Sequence, residues 1–409
     1  MLAVGVVATA AVPQSLPHIS GLSKKHHTTA VTEAASIDAR TSKPGSSKPP
    51  PKGTIVAETT GSTGQVKPEP VRQTGCTTSL PSHPGLASSS VSQLRKLAQY
   101  ETLCGSGVFS RSSFFTSVPS TVSEAQASAQ SVAGILKAYA QAGVPPLVFM
   151  EPDGIDLAQC ANGAYDAALT AYFQKLQQSG ISASMMGIWV YVPEGNLPEW
   201  STTDPATFAA VVTKLATLQK QYFPGSLSSL LLDSESYPVG GTWGDGKFVS
   251  LAPYVQNIPK GLIDSFGLQG FPWAAPATDP NNTFYNPAAY LRTDFAVEAA
   301  HILGTSNIWV NTGTFASMYA NKAGQTVTLT PAQRQTMLNG VVQLVKQMQA
   351  QSFAVSIHLF AENKSDVAEA TDWSYWQKTP GDTASTPVLT TFLHDANSAG
   401  AQLWLFDNE

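Results

Sequence analysis

Charge is what this sequence has least of. Lys, Arg, Asp and Glu make up 12% of its 409 residues, about half the ~25% usual in soluble domains. The 23 basic and 28 acidic residues leave a net charge of −5. That lacks the basic footprint of a nucleic-acid binder, and no nucleic-acid partner is expected. Cysteine is scarce too. Cys76, Cys104 and Cys160 are too few for a disulfide-dense scaffold or a four-cysteine zinc site. Cys76 and Cys104 can pair if the chain is exported, leaving Cys160 free; three separate thiols are the alternative. No run reaches the ~20 apolar residues that cross a bilayer, so no membrane span is expected. Also missing are Gly-x-Ser-x-Gly, a P-loop, Cys-x-x-Cys, His-Glu-x-x-His and a glycine fingerprint after the first strand. No cofactor and no resident metal are therefore expected.

What is present divides near residue 90. Residues 2–12 form a short apolar stub, followed by Lys24 and Lys25. Residues 13–90 are rich in Ser, Thr, Pro, Gly and Lys, as in the run from Lys43 to Pro51. Such composition buries too little apolar surface to offset ordering entropy. The expected organisation is a stub and low-complexity linker over 1–90 and a folded domain over 91–409. All eight tryptophans, Trp189 to Trp404, fall in the second part. The address expected is secreted or cell-surface attached, with the N-terminal segment as an anchor or tether. A monomer is expected.

Within 91–409, eight apolar or β-branched runs recur about every 35–50 residues, the beat of successive βα units. They are Gly107-Val108-Phe109, 146–150, 186–192, 230–232, 266–271, 307–310, 355–360 and 402–406. Asp204-Pro205, Asn286-Pro287 and Thr330-Pro331 each pair a capping residue with proline at a helix start. Gly143, Gly180 and Gly304 are placed to end helices just before the next strand. The fold expected is α/β, a (β/α)8 TIM-type barrel. The chain ends three residues after the eighth run, and a helix over about 91–100 is expected to cover the place of an eighth helix.

A barrel of this kind carries its site at the C-terminal ends of the strands. Seven acidic residues fall there: Glu151, Asp153, Glu194, Asp233, Glu235, Glu362 and Asp407. In a chain so poor in charge, that concentration points to general acid–base chemistry. Gln269, Asn311 and His358 supply hydrogen-bonding groups beside them. Tyr191, Trp200, Tyr237 and Trp273 supply faces on which sugar rings pack. Trp309 and Trp404 lie within strands and read as core.

Carboxylates and tryptophans at a barrel mouth resemble the retaining clan of (β/α)8 glycoside hydrolases that holds many cellulases, mannanases and xylanases. The resemblance implies an acid/base after strand four and a nucleophile after strand seven. Those roles fall on Glu235 and Glu362, with a carbohydrate as substrate. Ser234 stands where that clan has asparagine or histidine before the acid. A strand count shifted by one would make Glu194 the acid. Glu151-Pro152-Asp153-Gly154 is similar to a segment of the inverting family 6 cellulases. A carbohydrate-binding barrel without catalysis is one alternative. Another is a barrel hydrolase using Glu151, Asp153 or Asp407 with a divalent cation.

Asp233 and Glu235 lie two residues apart, which on a strand puts both side chains on one face. A like charge there raises the acid's pKa. Asp233→Asn is then expected to move the limb of the pH–rate profile governed by Glu235 to lower pH, measured as kcat against pH.

Overall fold

The computed structural model describes residues 109–197, 204–234, 250–271, 287–314, 317–320, 325–361, 363–364, 371–372 and, except for 393 and 397, 391–407. Eight strands close a barrel. They are β1 (Phe109–Ser117), β2 (Pro146–Glu151), β3 (Ile188–Tyr191), β4 (Leu227–Asp233), β5 (Ser265–Gln269), β6 (Asn307–Thr312), β9 (Ala354–Ala361) and β12 (Gln402–Asp407). Each neighbouring pair is parallel, and β12 returns to β1 to close the ring. β4 is the fourth barrel strand and β9 the seventh, so the count made on the sequence stands. A second, antiparallel sheet runs β10 (Asn363–Lys364), β11 (Thr371–Asp372), β7 (Ser317–Ala320), β8 (Gln325–Thr328). Its strands belong to the connections that leave the C-terminal ends of β6 and β9.

The helices are α1 (Val122–Ala142), α2 (Leu157–Ala161), α3 (Asp166–Gln178), α4 (Pro205–Tyr222), α5 (Ala252–Val255), α6 (Thr293–Leu303) and α7 (Pro331–Gln349). Asp204 caps α4 by accepting from the Thr207 amide at 2.8 Å, with Pro205 opening the helix. Thr330 and Gln333 form a reciprocal capping box at the start of α7. Gly143, Gly180 and Gly304 have φ of 73°, 79° and 75°, the left-handed turn that ends a helix without a Cβ penalty. Asn286-Pro287 departs from expectation. It leads only into a 3-10 turn, Pro287–Ala289, where the Pro287 ring packs on Gly340 of α7, and α6 starts at Thr293.

The first strand also departs from expectation, running from Phe109 rather than ending there. Its lumen side carries Arg111, Ser113 and Phe115, so the apolar pattern of a strand buried on both faces is broken by polar groups. The helix expected over about 91–100 lies outside the described residues.

Two apolar layers result. The larger fills the space between strands and helices. The smaller lies inside the barrel: Leu147, Phe149, Ile188, Val190, Leu231, Trp309 and Trp404, with Phe115 against them. Each fully buried large side chain of this kind contributes about 1.5–3 kcal/mol. Trp309 sits across the lumen, its ring centroid 6.2 Å from Phe149 and 5.6 Å from Trp404. Its indole N–H donates to Ser229 Oγ at 2.8 Å. Gly267 makes room for it, since a Cβ there would lie 2.5 Å from Trp309 Cε2 and 2.7 Å from Leu230 O.

Gly267→Ala is therefore expected to destabilise the barrel by about 1–3 kcal/mol through overpacking. Gly134→Ala, within α1 and open on all sides to 4 Å, is expected to stabilise it by about 0.5–1 kcal/mol. Urea denaturation of the two variants checks the contrast.

Candidate active site at the barrel mouth

Alternation along the strands sends Glu151, Asp233, Gln269, Asn311 and His358 to the lumen side, above the apolar plug. All five are buried, His358 and Asp233 to 1% exposure. Glu194 joins them from the turn after β3.

That turn is held under strain. Val192 and Glu194 have φ of 48° and 57°, a region costly for side chains and a genuine outlier for a β-branched one. Such conformations cost about 1–3 kcal/mol each and persist only where neighbours over-determine them. The neighbours here are identifiable. Val192 N donates to Met150 O at 3.0 Å and Glu194 N to Leu231 O at 2.8 Å, tying the turn to β2 and β4. Asn196 donates from Nδ2 to Asp233 O at 2.6 Å and accepts from Asp233 N at 3.1 Å. Gly195 lies against Phe208, whose ring would be 2.5 Å from any Cβ. The result aims Glu194 at Gln269.

A continuous hydrogen-bond chain crosses the mouth. Gln269 Nε2 donates to Glu194 Oε1 and, at 3.3 Å, to Asp233 Oδ2. Asn311 Nδ2 donates to Gln269 Oε1 at 2.6 Å. His358 Nδ1 meets Asn311 Oδ1 at 2.7 Å, and His358 Nε2 meets Ser113 Oγ at 3.2 Å. Burial holds the His358 imidazole down to about 3, so it is neutral at ordinary pH. Two hydrogen-bond lengths put the nearest oxygens of Glu194 and Asp233 within about 6 Å of each other.

Other expected residues fall elsewhere. Tyr191 does not reach the mouth. It faces the helix layer, fully buried, with its hydroxyl donating to Gln219 Oε1 at 2.8 Å. The strand's alternation sets this, since Val190 takes the lumen side. Asp153 lies exposed in the turn after β2. Ser234 is fully buried and bonded to the wall, its hydroxyl donating to Tyr290 O at 3.3 Å. β4 ends at Asp233. Glu235, Glu362, Trp200, Tyr237 and Trp273 lie outside the described residues, as do Cys76 and Cys104. Asp407 ends β12, with its side chain outside the described set. Cys160 is free and buried, and burial pushes its thiol up to about 11, far from a nucleophile at neutral pH.

Sequence reasoning missed Ser113 and Asn196. Ser113 was hidden by the misplaced first strand, whereas Asn196 sits in Pro193-Glu194-Gly195-Asn196, whose turn composition was the available signal. Among the described residues no group of three or more His, Cys, Asp or Glu is placed to hold a metal ion. Among them, too, no helix is long and apolar enough to cross a membrane.

No protein-family model and no curated protein matches the chain. Solved structures do. It is similar to an endo-1,4-β-mannanase from Rhizomucor miehei at 11% identity, over 78% of this chain and 93% of that one, with a TM-score of 0.47. It is similar to the β-glycosidase BGL167 at 14% identity, over 77% and 90%, with a TM-score of 0.46. A family 1 β-glucosidase from Thermotoga maritima matches at 10% identity, over 75% and 86%, with a TM-score of 0.46. These are distant likenesses of fold.

The buried imidazole ties stability to pH. Below about 6.5 an unfolded chain protonates this histidine, whereas the folded chain does not until about 3. The folded state is thus favoured fully above 6.5, and that advantage is lost as pH falls toward 3. Urea unfolding from pH 7.5 to 4 is expected to show a shallower decline for His358→Asn than for the wild type.

Proposed function

We propose that this chain hydrolyses glycosidic bonds of a polysaccharide or oligosaccharide at the C-terminal mouth of its barrel. The observation that carries the reading is the convergence of Glu194 and Asp233 on the Gln269 amide, at the mouth of a domain otherwise poor in charge. Carboxylates gathered where a barrel does its chemistry suit proton transfer to a leaving oxygen and stabilisation of an oxocarbenium-like transition state.

Glu235 lies two residues past the fourth barrel strand and Glu362 one residue past the seventh. In our reading Glu235 protonates the leaving oxygen and Glu362 attacks the anomeric carbon. Water then releases the sugar, with Glu235 taking its proton, and the configuration is retained. Glu151, Glu194, Asp233, Gln269 and Asn311 line the floor, where they bind hydroxyls and shape the field. Trp200, Tyr237 and Trp273 offer ring faces, and Asp153 and Asp407 further polar contacts. We place the activity outside the cell or at its surface, with residues 1–90 as the tether.

A second assignment draws on the closeness of Glu194 and Asp233. Their nearest oxygens lie within about 6 Å, a bound that takes in the ~5–5.5 Å between the carboxyls of retaining enzymes. They would then be the pair themselves.

Reducing-sugar release from β-glucans, mannans and xylans tests the reading. Glu235→Gln and Glu362→Gln are expected to lower kcat by about 10²–10⁴-fold with binding retained. If both variants stay active while Glu194→Gln is inert, the second assignment replaces the first. If the wild type binds a polysaccharide and releases nothing, the barrel is a binding module.

A further inference from the structure

The chain across the mouth has a direction, and its chemistry fixes it. Gln269 turns its NH2 toward both acids, and an oxygen of Glu194 and one of Asp233 accept from it. Its carbonyl then faces Asn311, which must present its own NH2. The Asn311 carbonyl faces His358 Nδ1, so that nitrogen must carry the proton. A neutral imidazole has one N–H, which leaves Nε2 as an acceptor for the Ser113 hydroxyl. Six strand or turn positions, from β1 to the turn after β3, thus agree on one orientation.

We propose that Ser113, His358, Asn311 and Gln269 form a one-way hydrogen-bond chain that holds Glu194 and Asp233 as paired acceptors. His358 is in it a positioning residue that acts through two amides. The proposal rests on the glycosidase reading for its consequence in catalysis, not for its geometry. The lumen around the chain supports a fixed orientation. His358 is wedged between Phe149 and Trp309, with ring centroids at 5.7 Å and 5.8 Å and its plane 86° to the indole. A ring so held cannot turn over without displacing the plug. Reversing the chain would require a proton on Glu194 or Asp233, both amides flipped and the histidine proton moved to Nε2. The tautomer of His358 therefore reports the state of carboxylates three hydrogen bonds away. The other titratable side chains described on the lumen side of the strands are Arg111 on β1 and Glu151 at the end of β2; Tyr191 on β3 faces the helix layer, and Asp407 ends β12. Glu235 and Glu362 follow β4 and β9.

Histidine ¹⁵N NMR on the full chain, with the signal assigned by its loss in His358→Asn, reads the tautomer directly. The expected result is the Nδ1–H form, unchanged from pH 8 to 5. An Nε2–H form, or titration near 6.5, overturns the proposal. Asn311→Asp keeps the shape but can no longer donate to Gln269. The Gln269 amide should then turn its NH2 to residue 311 and its carbonyl to Glu194 and Asp233. We expect kcat to fall at least about tenfold with KM little changed, and the carboxylate titration, followed by ¹³C NMR, to rise by about one pH unit or more. An unmoved titration in this variant overturns the proposal. If it does not fold, the wild-type tautomer still decides. If no sugar is cleaved while tautomer and titration behave as expected, the chain stands and the glycosidase reading falls.

Discussion

The polar mouth of this barrel depends on the indole of Trp309. It is a large flat group placed where a strand would ordinarily offer a branched aliphatic one, and it fits because Gly267 has no side chain. Its N–H is bonded to Ser229, which also exchanges hydrogen bonds with Ser265. An unpaired indole N–H at that depth would cost about 1–3 kcal/mol. With the indole fixed, Phe149 and Trp404 pack around it, and His358 is buried to 1% exposure. Apolar packing thus sets the histidine's charge state. The histidine's single N–H then goes to Asn311, and the two amides pass that direction on to the carboxylates.

Above the plug, the positions of the carboxylates are set by backbone rather than by side-chain choice. Asp233 is the last residue of β4, and Asn196 bonds to both its N–H and its C=O, as a neighbouring strand would. The same short turn carries Glu194 in a left-handed conformation. Two such residues cost a few kcal/mol together. The turn's hydrogen bonds to β2 and β4, its packing on Phe208 and the Asn196 clamp hold it there. A glycine at position 194 would relieve the backbone but remove the carboxylate. Strain and function therefore meet at one residue.

Much of this was legible in the sequence. Seven of the eight barrel strands announced themselves because parallel strands are apolar on both faces, as in Pro146–Glu151 and Ile188–Tyr191. The proline and glycine signals at helix ends were read correctly where the chemistry was purely local, as at Thr330 and Gly304. The first strand was misplaced because Arg111 and Ser113 face inward and blur its pattern. Tyr191 was assigned to the mouth because it closes a strand, but side-chain alternation, not proximity to a strand end, decides which face a residue takes. Glu194, Asp233, Gln269, Asn311 and His358 were each named, but not their connection. Hydrogen-bond order is a property of packing across strands up to 245 residues apart, as between Ser113 and His358, and no local pattern encodes it.

The shared amide also has an energetic logic. Two unit charges within about 6 Å of each other would repel by at least about 3 kcal/mol at an effective dielectric near 20. A hydrogen bond to a charged group contributes about 1.5–3 kcal/mol. The two hydrogens of Gln269 thus supply an attraction similar in size to the repulsion they sit between. A lysine or arginine in that place would offset it more strongly but would cancel the charge of the mouth. A neutral amide adds no charge of its own to a mouth whose floor is apolar beneath. In the proposed reaction, positive charge develops at the anomeric carbon, and preorganised negative charge is the environment that favours it. In a chain with so few charges, glutamine holds these two together without spoiling their field.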